Sequence, residues 1–127
     1  MQKRIYYHDT DCGGVVYYAN YLKFLEEART EFMEDRGILM KNLIDRGEFF
    51  VVARQEVDYK APAHYADTLT VDTIVSESSA VKVIFSHEIR NQHGRICVVA
   101  KTTLVYVDKN LKPKIMPEHV RKGLISK

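Results

Sequence analysis

The chain has 127 residues, of which 46% are hydrophobic and 28% charged, and its formal net charge is +2. This balance excludes a disordered chain, and a length of this order supports one buried core rather than two, so a single domain over residues 1–127 is expected. The weak, dispersed positive charge argues against a nucleic-acid partner, and no apolar run approaches the length of a bilayer span.

The first predicted element is a strand over RIYYHD, residues 4–9, whose residues suit an extended chain; the glycines at 13 and 14 break it. A long helix is expected over residues 16–36. Its apolar positions, Tyr18, Tyr21, Leu22, Leu25, Ala28 and Phe32, recur at helical spacing, and Lys23, Glu26, Glu27 and Glu34 fill the other face. Gly37 supplies the stop, and a second short helix is expected over residues 38–46.

From Phe49 the period changes to two, predicting strands over residues 49–60, 68–75, 81–90 and 96–107, with NQHG as a hairpin turn between the last two. The last strand is apolar on both faces in places, as a central strand or one covered by a partner subunit would be. No helices alternate with the later strands, so a parallel, doubly wound sheet is excluded. The expected fold is α+β: one curved antiparallel meander packed around one long helix. One helix covers only part of such a sheet, so self-association is expected. The N-terminal MQKRIYYHD has no signal-peptide core, and two cysteines at unrelated positions support neither a disulfide framework nor a zinc site; both features fit a cytoplasmic protein.

The chemistry concentrates in HDTDCGGVVYYANY, residues 8–21. Glycines at 13 and 14 allow close backbone approach to a ligand, and a following helix offers unpaired N–H groups that could hold a carbonyl oxygen. A nearby carboxylate could then attack that carbonyl or activate water, which makes Asp11 a candidate for acyl transfer. An aspartate before a helix is also a common cap or turn residue, and for Asp9 that reading is preferred. A D-x-D phosphatase needs a parallel sheet that the later residues lack. A calcium loop counted from Asp9 would place Asn20 where a glutamate belongs. A Cys12–His8 thiolate pair has only sequence proximity behind it, and the paired glycines lack the rest of a phosphate loop. The remaining histidines do not converge; His87 shares parity with Val83, Phe85 and Ile89, as a core histidine would.

RIYYHDTDCGGVVYYANYLKFLEEART resembles the signature of the 4-hydroxybenzoyl-CoA thioesterase family, and most closely its Tol–Pal-associated, YbgC-type acyl-CoA thioesterases. The pattern runs through Arg4, Ile5, Thr10, Asp11, Gly14, Val15, Val16, Asn20 and Tyr21 to Glu27, Ala28 and Arg29; weaker similarity continues through VDYKAPAHYADTLTVDT. The resemblance implies a hotdog fold, dimers or tetramers, and hydrolysis of acyl-CoA thioesters without a metal or organic cofactor, CoA being part of the substrate. It assigns Asp11 as nucleophile or general base and the Tyr18 N–H, in the helix's first turn, as receiver of the thioester oxygen. Gly14, Val16, Tyr7 and Asn20 become oxyanion or substrate-binding residues, and residues 59–63 are assigned to the neighbouring subunit's site. One departure is visible: many YbgC-type members carry histidine where this chain has Tyr18. Acyl carrier protein is an alternative acyl donor, and Lys60, Lys82 and Arg90 are candidates for the CoA phosphates. Two other readings stand beside the thioesterase. A hotdog dehydratase is disfavoured because residues 16–36 contain no histidine, and a non-catalytic acyl-CoA-binding module would have no use for Asp11.

Overall fold

The computed structural model describes residues 1–11 and 13–126; Cys12, and with it the Cys12–His8 pair, lies outside them. In chain order the elements are β1 (Gln2–Arg4), a 3-10 turn (Tyr7–Asp9), α1 (Asn20–Glu34), α2 (Met40–Asp45), β2 (Phe49–Tyr59), β3 (Thr68–Ser78), β4 (Lys82–Arg90), β5 (Ile96–Val107) and α3 (Glu118–Ile125). The five strands form one antiparallel sheet in the order β1-β3-β4-β5-β2.

Helix α1 lies against the inner face of this sheet. Tyr21, Phe24, Leu25, Ala28 and Met33 are buried at helical spacing. They pack with Val71, Ile89 and Val98 at one end of the sheet, and with Phe85, Tyr106 and Ile38 at the other. Burial of a fully enclosed side chain such as Leu25 contributes roughly 1.5–3 kcal/mol. Gly37 ends the α1 segment at φ 76°, which lets the Ile38 N–H donate to the Met33 carbonyl at 2.9 Å.

Strand β5 is internal, flanked by β4 and β2; the face carrying Val98, Ala100, Leu104 and Tyr106 is buried, while Val99, Thr103 and Val105 on the other are half-buried and Lys101 is exposed. The meander holds for β3, β4 and β5 only. Strand β2 pairs with β5 at the far edge instead of with β3, and residues 60–67 cross the end of the sheet to reach β3. The first strand is also shorter than expected. The Asp9 carboxylate accepts the Tyr6 N–H at 2.9 Å and draws the backbone into a 3-10 turn after Arg4 and Ile5.

The long helix starts at Asn20, four residues later than its apolar spacing suggested. Val16 is extended, bridging Thr10 and donating its N–H to the Ala63 carbonyl at 2.9 Å, as suits a β-branched residue. Helix α3 has no counterpart among the expected elements. Its Val120 and Leu124 seal the second half of the core, with too few turns to display a helical period in the sequence.

Candidate active site

Two backbone segments, residues 9–21 and 59–65, meet at the start of α1. Asp9 is buried and organises the first of them. Its carbonyl accepts the Tyr17 N–H at 3.1 Å and the Asn20 side-chain amide at 2.8 Å. Asn20 therefore ties the helix to the 3-10 turn, and Asp9 is the turn residue its position implied.

Asp11 opens a tight turn. Its N–H donates to the Val15 carbonyl at 3.0 Å, and its carbonyl accepts the Gly14 N–H at 3.1 Å. Gly14 sits at φ 73°, with open space where a Cβ would project, so the requirement for glycine is conformational. The Asp11 side chain is exposed, and its Oδ1 accepts the Gly13 N–H at 3.0 Å. Among the described residues Oδ2 has no hydrogen-bond partner, which leaves one carboxylate oxygen available to a ligand or a water.

The turn is held from outside by the crossover. Tyr65 donates its N–H to the Gly14 carbonyl at 3.0 Å, and Val15 bridges His64. The buried Tyr21 hydroxyl accepts the Ala63 N–H at 3.3 Å; burial, opposed by that bond, pushes the phenol up to about 12. The segment at 59–63 lies beside Val16, Tyr18 and Tyr21 of the same chain. The signal that could have placed it is the strand ending DYKAP, where the proline stops the ladder and turns the chain across the sheet.

Between these segments lies a cleft of about 310 Å³, lined by Val15, Val16, Tyr18, Tyr21 and the stretch from Tyr59 to Pro62. Tyr18 is 61% exposed, so its ring presents a face to an incoming group. The backbone here is short of acceptors. The Asn20 N–H donates to the Tyr17 carbonyl at 2.9 Å, but among the described residues the N–H groups of Tyr18 and Ala19 reach no acceptor. The Tyr18 donor therefore sits in the turn leading into α1 rather than in its first helical turn. Tyr7 lies apart, exposed, its ring edge-on to Tyr65 at 5.9 Å.

Of the three cationic candidates only Lys60 borders the cleft; Arg90 pairs with Glu88 on the outer face of the sheet, and Lys82 begins β4. His87 is buried as its parity implied. Its Nδ1 is 3.1 Å from the Thr73 hydroxyl, while burial and the nearby Arg29 guanidinium push its pKa down to about 4. Arg29, noted in the sequence only as part of a pattern, is itself buried in α1 and donates to the Thr102 hydroxyl at 3.1 Å. Among the described residues no three His, Cys, Asp or Glu side chains are grouped to hold a metal ion. No helix there is long and apolar enough to cross a membrane.

A sequence profile described as the thioesterase-like superfamily matches residues 6–124. The chain belongs to that superfamily. It is 35% identical to the acyl-CoA thioester hydrolase YbgC of Escherichia coli O6:H1 over 118 residues, covering 92% of this chain and 88% of the relative. The acyl-CoA thioesterase YbgC of Haemophilus influenzae is 37% identical over 120 residues, covering 93% and 88%. The solved structure of BH1999 gentisyl-coenzyme A thioesterase superposes with a TM-score of 0.89 at 29% identity, covering 95% of this chain and 98% of that one. This thioesterase-superfamily chain has the expected hotdog architecture, a curled antiparallel sheet wrapped on a central helix.

Proposed function

We propose that this protein hydrolyses the thioester bond of acyl-CoA, acting on short-chain or aromatic acyl groups. The observation that carries the reading is that one loop holds both a carboxylate, Asp11, whose Oδ2 has no partner among the described residues, and the Tyr18 and Ala19 amides, which reach no acceptor there. Relatives named as acyl-CoA thioesterases support it. The apolar, tyrosine-lined cleft supports a small or flat acyl group.

The thioester oxygen is received by the Tyr18 N–H, which strengthens its hold as negative charge develops in the tetrahedral intermediate. Val16 and Tyr18 wall the acyl group, and Gly14 gives the turn that presents Asp11. Asp11 acts in one of two ways. As general base it takes a proton from water while the hydroxide attacks the carbonyl carbon; as nucleophile it forms a mixed anhydride that water then hydrolyses. In both, the C–S bond breaks, CoA thiolate leaves and takes up a proton, and the free acid is released. These steps balance without a metal or organic cofactor, so CoA enters only as part of the substrate. Acyl carrier protein is a second donor to be compared with CoA.

The exposure of Asp11 in one protomer supports assembly into a homodimer or homotetramer that covers the loop. The free edge of β2, with Val52 55% exposed, supports that assembly too; sedimentation as a monomer at assay concentration would remove it. A cytoplasmic location is proposed with this activity.

Asp11→Asn tests the core of the reading. It should lower kcat/KM by at least ~100-fold on acyl-CoA substrates while leaving the circular dichroism spectrum unchanged. A variant that releases CoA as fast as the parent overturns the assignment. Saturable acyl-CoA binding by the parent without CoA release would favour a binding module instead.

A further inference from the structure

We infer that Tyr59 is a positioning residue for this reaction, its hydroxyl fixing the backbone turn that carries the oxyanion-binding amide. The inference rests on the thioesterase reading above and adds a residue to it.

The start of α1 lacks the usual means of holding its own backbone. Ala19 occupies the N-cap position, already in the helical region at φ −70° and ψ −21°, and has no side chain able to accept an amide. This omission leaves amides open to a ligand, but it also leaves the turn without the bond that normally stiffens it. The two peptide planes flanking Tyr18 are held separately. The first is fixed because the Tyr17 carbonyl accepts the Asn20 N–H at 2.9 Å. The second carries the Tyr18 carbonyl, whose backbone partner, the Tyr21 N–H, is long at 3.4 Å. The Tyr59 hydroxyl donates to the same carbonyl at 3.3 Å from the opposite wall of the cleft.

In a trans, planar peptide the N–H points opposite to the C=O. Holding the Tyr18 carbonyl therefore aims the Ala19 N–H directly. With the preceding plane also fixed, Tyr18 cannot rotate its own N–H away from the ligand. Tyr59 is suited to this task because it ends β2, where the ladder to β5 fixes its backbone. Its ring is set edge-on to Tyr18 at 6.2 Å and tilted against Tyr21 at 5.7 Å. Burial, with Tyr18 nearby, raises its phenol, so the hydroxyl remains a donor through the neutral range.

The test compares Tyr59→Phe, which keeps the ring and removes the hydroxyl, with the parent in the full chain. One lost hydrogen bond of ordinary strength predicts a kcat lower by about 3- to 10-fold, with KM within about two-fold and a melting temperature lower by only a few degrees. The amide nitrogen chemical shifts of Tyr18 and Ala19 should move, while those along β3 and β4 stay. Tyr59→Phe with the parent's kcat, or with a defect confined to KM, overturns the inference, and so do unmoved Tyr18 and Ala19 shifts. Failure of the thioesterase reading is recognised separately: the parent and Asp11→Asn would then release CoA equally slowly, and the shifts alone would decide whether Tyr59 holds the turn.

Discussion

Removing the Glu48 carboxylate should destabilise the protein through a hydroxyl that has nowhere else to turn. Glu48 precedes β2 and is buried; it accepts the Tyr106 hydroxyl and the Lys114 ammonium, with the Arg46 guanidinium 3.6 Å away. Tyr106 is fully buried in β5, so Glu48→Ala leaves its hydroxyl without an acceptor, at a cost of about 1–3 kcal/mol. Lys114 and Arg46 are half exposed and rehydrate, so their lost ion pairs add only about 0.5 kcal/mol. A total of about 1.5–3.5 kcal/mol corresponds to a fall in Tm of roughly 5–17 °C for a chain of this size. Thermal melts followed by circular dichroism at pH 7 measure it. Adding Tyr106→Phe removes the stranded hydroxyl, so the double variant should melt above Glu48→Ala. A single variant within 2 °C of the parent, on a scale where ~1 kcal/mol moves Tm by several degrees, would refute the reasoning, and so would a double variant that melts lower.

Acid should act on the same carboxylate and on His87 in separate windows. The bonds from Lys114 and Tyr106 hold the Glu48 carboxyl below its ordinary value of 4.5. Its stabilisation is complete above that pH and is lost as the pH falls through the lower folded value; Glu48→Gln should flatten urea-derived stability in this range. His87 falls from 6.5 to about 4 because its buried ring resists protonation, so the unfolded chain takes up the proton first. Stability should decline by up to about 3 kcal/mol as the pH drops from 6.5 towards 4, and His87→Leu should remove that slope. Gly123→Ala should lower Tm although alanine favours helices by about 0.8–1 kcal/mol. Its Cβ would meet Ile38 Cδ1 at 2.9 Å and the Arg36 carbonyl at 3.1 Å, and overpacking of a buried seam costs about 1–3 kcal/mol; a higher Tm would contradict this.

How much could be read beforehand depended on whether a signal was local. The hairpin at NQHG and the span of β5 followed from turn chemistry and from alternation of apolar residues, and both stand in the structure. The α1 stripe was legible in part, since Tyr21, Leu25 and Ala28 are buried at the expected spacing while Leu22 is exposed and Phe32 half-buried, but its start was not. Val16 carries an apolar side chain at helical spacing while its backbone bonds to Ala63, a partner 47 positions on that no local pattern reveals. The same limit hid the place of β2: nothing within residues 49–59 says that their partner is β5 rather than β3. Asp11 and Tyr18 could be singled out from a short motif. Tyr59, Lys60 and Pro62 were tied to a site by the family resemblance alone; no local pattern shows the tertiary crossover that brings them beside Tyr18 of the same chain. Arg29 on a helix reads as surface charge until the sheet closes over it.

The crossover from β2 to β3 has a kinetic consequence. The bonds that shape the cleft join residues 41 and 42 positions apart in sequence, Tyr59 to Tyr18 and Ala63 to Tyr21. Helix α1 can form early from its neighbours, yet the pocket beside it comes into being only when these long-range contacts have closed, a step that carries the entropy of a large ring. In a refolding experiment, recovery of catalysis should therefore trail recovery of helical ellipticity, making turnover a gauge of long-range closure rather than of collapse.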